Sequence, residues 1–316
     1  MFRNTLIGGT KFRPDEHIPD LNGKVILVTG GNSGLGLETV RQLIKHNPSR
    51  IYLAARSTER AQAAIQKLEE PHPTAIPVSH LSLDLSSFDS IKAAVAAFKK
   101  AETRLDILIN NAGVMMLPEG LTKDGYEIQL GTNHLGHALL TQLLLPTLQS
   151  TTRLNSDVRV VTVSSGAESF GPKKLYPVEN FKTTMPGLST QYRYAISKAA
   201  NIHYSSAMAQ KYKDIKFVCV HPGSVQTNLA DAIWKSSNVV FKIFLVSYAL
   251  LFITKPEQGA LNQLWASVSQ DAVSGEFYHP VGLAGKGSHH VKNSKEQKQL
   301  WDWTQAELEA HLPATP

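Results

Sequence analysis

The sequence predicts an α/β fold in which a doubly wound parallel sheet of about seven strands is covered by helices on both faces. Two observations lead to this prediction. Short apolar runs rich in β-branched residues alternate along the chain with runs of helical period, which is typical of βαβ units. A glycine-rich loop stands between the first apolar run and the first helical run, where open parallel sheets bind ligands.

Each predicted element follows from its local pattern. Apolar runs bounded by turn residues predict strands at 24–29, 50–55, 78–83, 105–110, 158–164 and 216–221, with a seventh, edge strand at 276–279. Helical spacing predicts helices from the glycine loop to about 47, at 58–70, around 91–98, at 126–149, 191–213 and 256–269, and a short amphipathic helix near the C-terminus. Prolines predict loops at 71–77 and 171–187, the second on the surface.

No repeat or interdomain linker divides the chain, so one domain is expected. Its predicted parts are an N-terminal extension at 1–20, the α/β domain at 21–290 with helices over a substrate pocket at 224–270, and a C-terminal tail at 291–316.

Composition narrows the function classes. The formal net charge of +6 favours an anionic ligand such as a nucleotide, but the basic residues are scattered, which argues against nucleic-acid binding. The single cysteine, Cys219, excludes an internal disulfide and a zinc-ligand set; it suits a reducing compartment and a core position, and no metal site is expected. Residues 1–20 lack the apolar core of a signal peptide or anchor, so a cytoplasmic protein is expected.

The most apolar stretch, at 239–253, is shorter than the ~20 residues that a membrane-spanning helix needs, and Lys242 interrupts it. It is predicted to be an amphipathic helix over the substrate pocket. Docking on a membrane surface and formation of a homo-oligomer are the alternatives for the apolar helix faces.

The glycine loop predicts a dinucleotide site. Glycines allow a tight turn and let backbone N–H groups approach a pyrophosphate, whose charge the following helix N-terminus favours. The spacing differs from Gly-x-Gly-x-x-Gly, and an ordinary glycine turn is the alternative. The loop residues expected to contact the ligand are Gly30, Asn32, Ser33, Gly34, Leu35 and Gly36.

The residue that follows the second strand favours NADP over NAD. An NAD site presents a carboxylate there for the ribose 2′-hydroxyl, whereas this chain has Arg56, which can pair with a 2′-phosphate. Alternatively, Arg56 is a solvated surface residue.

Further polar or small residues end the other strands. Asp84, followed by Leu85, is expected either to bind the adenine amino group or to cap the next helix, a role that Ser86 or Ser87 can also fill. Asn111, Ala112 and Gly113 end the fourth strand, where small residues let a cofactor lie close and asparagine side chains fix the loop. The sixth strand is followed by residues that can hold a carboxamide, namely Pro222, Gly223, Val225 and Thr227.

The stretch from Tyr194 to Lys198 predicts acid–base chemistry. Its two ionisable residues lie four positions apart in a predicted helix and therefore on one face. A phenol has a pKa near ~10, and a neighbouring cation stabilises its anion. Ser164 and Ser165 end the fifth strand, where a hydroxyl can hold a substrate oxygen.

Taken together, these motifs resemble the short-chain dehydrogenase/reductase family from about residue 24 to 227, which implies a Rossmann fold. The segment 110–145, with Thr132-Asn133-His134-Leu135-Gly136-His137, is similar to the retinol-dehydrogenase and WW-domain-oxidoreductase branch. It most resembles fungal members, many of which act in secondary metabolism. Retinoids are not implied, because the membrane anchor of many animal relatives is absent.

The resemblance implies a role for each matching residue. Tyr194 is expected to donate and accept the proton, and Lys198 to lower the pKa of Tyr194 and hold the nicotinamide ribose. Ser165 is expected to orient the substrate oxygen, with Ser164 as the less favoured choice. Asn133 is expected to bend its helix and support a water relay to Lys198. The cofactor would contact Gly30, Asn32, Ser33, Gly34, Leu35, Gly36, Arg56, Asp84, Leu85, Asn111, Ala112, Gly113, Tyr194, Lys198, Pro222, Gly223, Val225 and Thr227.

Two features depart from the compact family pattern. NADP-preferring members often carry a basic residue just before the second loop glycine, where this chain has Ser33, so the NADP prediction depends on Arg56. The segment between Ser165 and Tyr194 is long and is expected to cover the substrate.

The predicted function is interconversion of a carbonyl and an alcohol on a lipophilic small molecule with NADP, in fungal secondary metabolism. A non-catalytic NADP-binding sensor or scaffold on the same fold is the alternative; the presence of Asn133, Ser165, Tyr194 and Lys198 argues against it.

Overall fold

The computed structural model describes residues 9–70, 77–223 and 254–313. Within them, seven parallel strands form one sheet in the order β3-β2-β1-β4-β5-β6-β7, which confirms the predicted doubly wound fold. The strands are β1 (Val25–Thr29), β2 (Arg50–Ala55), β3 (Val78–Ser82), β4 (Ile107–Asn110), β5 (Arg159–Val163), β6 (Lys216–Val220) and β7 (Phe277–Tyr278).

Helices cover both faces of this sheet. They are α1 (Pro14–His17), α2 (Gly34–Leu43), α3 (Thr58–Glu69), α4 (Phe88–Ala101), α5 (Ile128–Leu130), α6 (Gly136–Thr152), α7 (Thr190–Lys211), α8 (Pro256–Gly259), α9 (Leu261–Val268) and α10 (Ser294–Leu308). A π-helical turn, Gly131–Leu135, joins α5 to α6. Short 3₁₀ turns occur at Ile44–His46, Gly166–Phe170, Val178–Asn180 and Glu309–His311.

The alternation of side chains along each strand divides the core into two layers. Leu27 of β1 packs in the layer beneath α4 and α6, with Phe98 and Leu139. Its neighbour Val28 packs in the opposite layer beneath α2 and α9, with Val40 and Leu264. Strands buried on both faces explain why the strand sequences are continuously apolar. Cys219 of β6 is buried, as expected.

Strands β2 and β3 lie on one side of β1, and strands β4 to β7 lie on its other side. The strand order therefore changes direction between β1 and β4. Loops that follow the carboxyl ends of β1 and β4 therefore diverge and leave a crevice between them. The fold thus places the predicted ligand residues at one edge of the sheet.

The predicted helix at 126–149 is confirmed as unbroken helical backbone from Ile128 to Thr152, which a π turn widens at Gly131–Leu135. The Glu127 carboxylate accepts hydrogen bonds from the backbone N–H groups of Gln129 and Leu130 and so begins α5 at Ile128. The π turn then widens the helix, with the Gly136 N–H donating to the Gly131 carbonyl. The helix continues as α6 past Pro146 to Thr152.

The segment 171–187 is a loop, as predicted, but it lies only partly on the surface. Leu175, Tyr176, Phe181 and Met185 in this segment are almost completely buried, each at most 1% exposed. They form a cluster with apolar residues of α7 and with Leu300 of α10. The prolines prevent regular structure, as expected, but the apolar residues between them still fill a core.

The segment at 291–316 contains a helix that packs on the domain. In α10, the Trp301 ring stacks on Tyr204 of α7 at a centroid distance of 5.6 Å, and Trp303 lies edge-on to Phe181 at 4.8 Å. Leu300 and Leu308 are fully buried. This helix therefore contributes to the core next to α7.

Other predicted boundaries differ by small amounts. The helix predicted at 256–269 is divided into α8 and α9 at Ala260. The helix predicted at 191–213 runs from Thr190 to Lys211, because the Ser189 side chain accepts the Tyr192 N–H and caps it. Most of the loop at 71–77 and the stretch 224–253, with Val225 and Thr227, lie outside the described residues. In the part of the chain that is described, no helix is long and apolar enough to cross a membrane.

Arg159 of β5 forms a fully buried hydrogen-bonding centre. Its guanidinium makes two bonds to the Asp157 carboxylate, at 2.6 and 2.8 Å, and donates to the backbone carbonyls of Ala266, Val268 and Ser269. These carbonyls lie in the last turn of α9 and just after it. The last carbonyls of a helix have no N–H partner within the helix, so Arg159 supplies one. One side chain thus holds α9 against the sheet.

Replacing Arg159 by Met is expected to lower the free energy of unfolding by about 3 kcal/mol, because the Asp157 carboxylate loses its charged partner and the buried carbonyls of Ala266 and Val268 lose their side-chain donor. Denaturant unfolding measures the loss. Arg153→Met is the control, since Arg153 is exposed. Equal stability of the two variants would contradict this account.

Gly36 lies where α2 meets the loop after β1. A Cβ atom at this position would lie 2.3 Å from the Gly30 carbonyl oxygen and 2.6 Å from Asn111 Nδ2. Gly36→Ala is therefore expected to lower the free energy of unfolding by about 1–3 kcal/mol through overpacking, measured by urea denaturation.

Gly120→Ala is the matched control for Gly36→Ala. A Cβ at Gly120 would meet its nearest atom, on the Ile128 side chain, at an ordinary 3.9 Å. If Gly36→Ala unfolds at the same urea concentration as Gly120→Ala, the close approach of α2 to the loop is not a constraint.

Candidate active site

A cleft of about 360 Å³ lies at the carboxyl edge of the sheet, between the loops that follow β1, β2, β3 and β4. Most of the predicted cofactor residues line it together: Gly30, Asn32, Ser33, Gly34, Leu35, Arg56, Asp84, Leu85, Asn111, Ala112 and Gly113. Gly36 lies just behind the cleft, against the Gly30 carbonyl. The structure therefore brings together residues spread over more than eighty positions of the chain.

The glycine loop leaves the N-terminus of α2 open to the cleft. Gly30 and Gly34 adopt positive φ angles of 66° and 52°, which glycine tolerates and most residues do not. Ser33 occupies the N-cap position of α2, but its side chain makes no capping hydrogen bond. The first N–H groups of the helix can therefore bind an anion such as a pyrophosphate.

The Thr29 hydroxyl fixes the loop that follows β4. Its oxygen accepts hydrogen bonds from the backbone N–H groups of Asn111 and Ala112, both at 2.9 Å. The Asn111 side chain donates to the Thr29 carbonyl at 2.8 Å and accepts from Gln263 at 3.1 Å. Asn111 thus holds the loop geometry, as the sequence predicts.

Asp84 faces the cleft and does not cap α4. The Ser87 side chain fills that role by accepting the Ser90 N–H. The Asp84 carboxylate instead accepts the Ser86 N–H and the Ser86 hydroxyl, at 3.0 and 2.6 Å. Burial raises the pKa of Asp84, but these bonds and the nearby charges of Lys123 and Arg56 outweigh it, so the pKa lies below its usual value.

Arg56 is exposed at the rim of the cleft, and it makes no ion pair with any residue that the structure describes. Its guanidinium is close enough to lower the pKa of Asp84. Arg60, one turn into α3, also lines the cleft. Two guanidinium groups therefore border the part of the cleft next to β2.

The serines after β5 have different partners. The Ser164 hydroxyl donates to the backbone carbonyl of Lys198 at 2.7 Å and so ties the strand to α7. The Ser165 oxygen caps the turn Gly166–Phe170 by accepting the Ala167 N–H, and its side chain is near enough to the Tyr194 phenol to oppose the rise in the pKa of Tyr194. This arrangement favours Ser165 over Ser164 as the residue that faces a substrate.

Tyr194 and Lys198 lie on one face of α7, as predicted, and both are more than 90% buried. The Lys198 Nζ lies 5.7 Å from the centroid of the Tyr194 ring and donates to the Val163 carbonyl at 3.1 Å. The ammonium is therefore held by the end of β5 and is directed over the ring.

The lowering of the Tyr194 pKa by Lys198 stays a prediction, because burial dominates the pKa of Tyr194 in the protein alone. Burial raises the pKa of Tyr194 to about 12, although the Ser165 side chain opposes the rise. Burial likewise lowers the pKa of Lys198 to about 8. Both shifts favour the neutral forms, because the charged forms lose hydration in the core.

Asn133 lies in the middle of the π turn, which is where the helix is widened. Its side chain clamps the backbone of Val114: Oδ1 accepts the Val114 N–H at 2.7 Å, and Nδ2 donates to the Val114 carbonyl at 2.8 Å. Nδ2 also donates to the Ser197 hydroxyl of α7 at 2.9 Å. Asn133 thus joins the loop after β4 to the helix that carries Lys198.

Gly113 brings the cleft and the buried pair together. A Cβ at this position would lie 3.2 Å from Asn133 Oδ1 and 3.4 Å from Lys198 Nζ. Gly113 lines the cleft, whereas Tyr194 and Lys198 do not, so Gly113 lies between the cleft and the buried pair.

Pro222 and Gly223 follow β6, and Gly223 has a φ of 86°. They are not among the residues that line the cleft, and Val225 and Thr227 lie outside the described residues. Sequence reasoning missed Thr29, Ser57, Arg60, Val114 and Thr132, which also line the cleft. Only Arg60 carried a usable signal, as a second cation close to Arg56.

Residues 24–177 match a family model described as short chain dehydrogenase. A short-chain dehydrogenase/reductase of Armillaria gallica is 38% identical over 294 residues, which cover 90% of each chain. Human retinol dehydrogenase 11 is 35% identical over 89% of this chain and 85% of its own. The crystal structure of NADPH-bound carbonyl reductase from chicken fatty liver superposes with a TM-score of 0.63 at 25% identity, covering 86% of this chain and 97% of its own.

These relatives make the protein an NAD(P)-dependent oxidoreductase that acts on CH–OH donors and on a small-molecule substrate. The chain belongs to the short-chain dehydrogenase/reductase family, in its retinol-dehydrogenase-like branch.

Proposed function

We propose that the protein interconverts a carbonyl and an alcohol on a lipophilic small molecule with NADP(H), using Tyr194 as the proton donor and acceptor. The observation that carries this proposal is the burial of Tyr194 and Lys198 on one face of α7, with the Lys198 Nζ 5.7 Å from the phenol ring centroid and with Gly113, which lines the cleft, beside Lys198. In this proposal the hydroxyl of Ser165, the phenol of Tyr194 and the ammonium of Lys198 act together on one reacting oxygen.

The proposed residues that hold the cofactor divide the cleft between them. The open N-terminus of α2 and the glycine loop would bind the pyrophosphate, Asp84 the adenine amino group, and Lys198 the nicotinamide ribose. When bound, the cofactor supplies or accepts the hydride.

In carbonyl reduction, the substrate oxygen would lie between Ser165 and Tyr194. The raised pKa of Tyr194 keeps its phenol protonated at neutral pH, which is the state that donates a proton to the developing alkoxide. Ser165 would donate a second hydrogen bond to the same oxygen. The proton moves from Tyr194 Oη to the substrate oxygen, and the protonated Lys198 then stabilises the phenolate that remains.

The reverse reaction, alcohol oxidation, requires the phenolate. Because burial raises the pKa of Tyr194, that form needs a nearby positive charge in addition to the Ser165 side chain. Lys198 is the buried cation within reach. Asn133, which holds Val114 and Ser197, would keep Lys198 and the loop in the geometry that this requires.

The preference for NADP is supported by charge at the rim of the cleft. Arg56 and Arg60 border the region next to β2, where the ribose 2′-phosphate of NADP would lie. The structural neighbour from chicken binds NADPH, which agrees with this assignment. Ser33 supplies no charge, so the two arginines are proposed to bind the phosphate.

The proposed substrate is lipophilic, and aromatic or polyketide-like. The apolar stretch at 239–253 supports this class by its composition, and fungal relatives such as the Armillaria protein support a role in secondary metabolism. We propose a cytoplasmic protein that contacts membranes only at their surface.

Tyr194→Phe is expected to lower kcat by about 10²–10⁴-fold with any substrate that the wild type turns over, because the phenol proton is lost while the ring remains. The oxidation of NADPH is followed at its absorbance near 340 nm over a panel of aldehydes and ketones. Tyr192→Phe is the control, since Tyr192 is 43% exposed and makes no contact with this site. Full turnover by Tyr194→Phe would exclude the proposed proton transfer.

Arg56→Ser is expected to raise the KM for NADPH by about 10–100-fold, which corresponds to the loss of a charge-assisted bond of ~1.5–3 kcal/mol, and to leave the KM for NADH nearly unchanged. Steady-state kinetics with both cofactors measures the ratio. Lys67→Ser removes one exposed positive charge elsewhere and is the control. A parallel change for both cofactors would show that Arg56 does not recognise the 2′-phosphate.

A further inference from the structure

His137 lies in the first turn of α6, four residues after Asn133, and is 3% exposed. Its ring touches the nucleotide side and the candidate catalytic side of the site at once. Nδ1 lies 2.9 Å from the Asn133 carbonyl oxygen, and Nε2 lies 2.9 Å from the Thr29 hydroxyl.

The partners of the ring determine where its proton lies. The Asn133 carbonyl can only accept, so His137 Nδ1 carries the hydrogen and donates it. His137 Nε2 then has a lone pair and accepts from the Thr29 hydroxyl. The other acceptor near this hydroxyl, the Ile109 carbonyl, is more distant at 3.4 Å.

The Thr29 hydroxyl is saturated by this arrangement. A hydroxyl has one hydrogen to donate and two lone pairs to accept with. Thr29 donates to His137 and accepts from the N–H groups of Asn111 and Ala112. Burial and the charge of Lys198 lower the pKa of His137 to about 4, although the bond to Asn133 opposes this, so the neutral ring that these bonds require is the stable form.

The loop after β4 is consequently held at both ends. Thr29 binds the backbone of Asn111 and Ala112 at its start, and the Asn133 side chain binds Val114 at its end. His137 connects these two anchors through one rigid ring. Between them lies Gly113, against Lys198.

We propose that His137 is a positioning residue that couples the nucleotide-binding loop to the Asn133–Lys198 pair, an inference that rests on the proposed function. Its ring sets the distance between the Thr29 hydroxyl and the Asn133 backbone. The bond to Thr29 supports cofactor binding, and the bond to Asn133 supports the chemical step at Tyr194 and Lys198.

Two substitutions separate the two bonds. In His137→Asn the amide nitrogen takes the place of Nδ1, which keeps the bond to Asn133 and loses Thr29. In His137→Gln the longer amide reaches the place of Nε2, which keeps Thr29 and loses Asn133. His137→Phe keeps a ring of similar size and loses both bonds.

We expect His137→Asn to weaken cofactor binding about 10-fold, by fluorescence titration with NADPH, and to change kcat little. His137→Gln should do the opposite, with kcat about 10-fold lower at saturating cofactor, and His137→Phe should show both losses. About 10-fold is the effect expected when one buried hydrogen-bonding group loses its partner. A general loss of packing would not lower cofactor affinity alone in His137→Asn and kcat alone in His137→Gln.

His203→Phe is the matched control. His203 of α7 is also buried and also bridges two groups, the Tyr176 hydroxyl at 2.8 Å and the His290 carbonyl at 3.1 Å, but it does not touch the loop after β4. It should lose stability and keep kcat and affinity. Equal effects in the Asn and Gln variants, or the same effects in His203→Phe, would overturn the role of His137.

The wild-type protein provides a second test that needs no substitution. ¹⁵N NMR should show His137 as the Nδ1–H tautomer, neutral down to about pH 5, with a ring signal that shifts when NADPH is added. An Nε2–H tautomer, or a signal unaffected by NADPH, would overturn the proposal even where variants fail to fold. If the wild type is active but His137→Asn and His137→Gln have the same effects, only the role of His137 is refuted. If the wild type neither binds nor turns over NADPH, the proposed function itself is refuted.

Discussion

The architecture of the site depends on how closely the carboxyl ends of β1 and β4 approach each other. These strands are adjacent in the sheet, yet the chain leaves them in opposite directions, so their loops separate and form the cleft. The Thr29 hydroxyl limits the separation by binding two N–H groups of the loop after β4. Gly36 allows α2 to lie against the Gly30 carbonyl, which keeps the helix N-terminus aimed at the same cleft.

Burial gives the candidate catalytic residues their properties and also makes their charged forms unfavourable. Burial favours the neutral forms of Tyr194 and Lys198, so ionising either side chain costs free energy at this position. A proton donor with a high pKa suits carbonyl reduction. The structure offsets part of the cost at Lys198 through the hydrogen bond from its ammonium to the Val163 carbonyl.

Most of the sheet could be predicted from the sequence, because its signals are local. The strand Arg50–Ala55 was predicted with the same bounds, since its apolar run is fully buried and ends at polar residues on both sides. The cleft residues were predicted because parallel strands bring their carboxyl ends to one edge. The resemblance implies a bend at Asn133, but the π turn itself has no local signal, since it accompanies bonds from Asn133 to Val114 and Ser197, which lie far away in sequence.

Other features could not be predicted because they also depend on contacts between distant parts of the chain. The prolines in 171–187 indicated a surface loop, but Tyr176 and Phe181 fill a space that α7 and α10 create, and only the tertiary structure reveals it. Burial also dominates the pKa of Tyr194 in the protein alone, and the motif shows the nearby cation but not the depth of burial. The contact between Thr29 and His137 spans 108 positions, and neither residue carries a local signal for it.

The central claim is that one dinucleotide lies along this cleft with its reactive ring beside a single buried phenol. A crystal structure of the protein with bound NADPH tests it most directly. The account predicts the 2′-phosphate between Arg56 and Arg60, the pyrophosphate at the N-terminus of α2, and the nicotinamide C4 facing the space between Ser165 and Tyr194. A nucleotide bound elsewhere, or a nicotinamide ring turned away from the Tyr194 hydroxyl, would contradict the account.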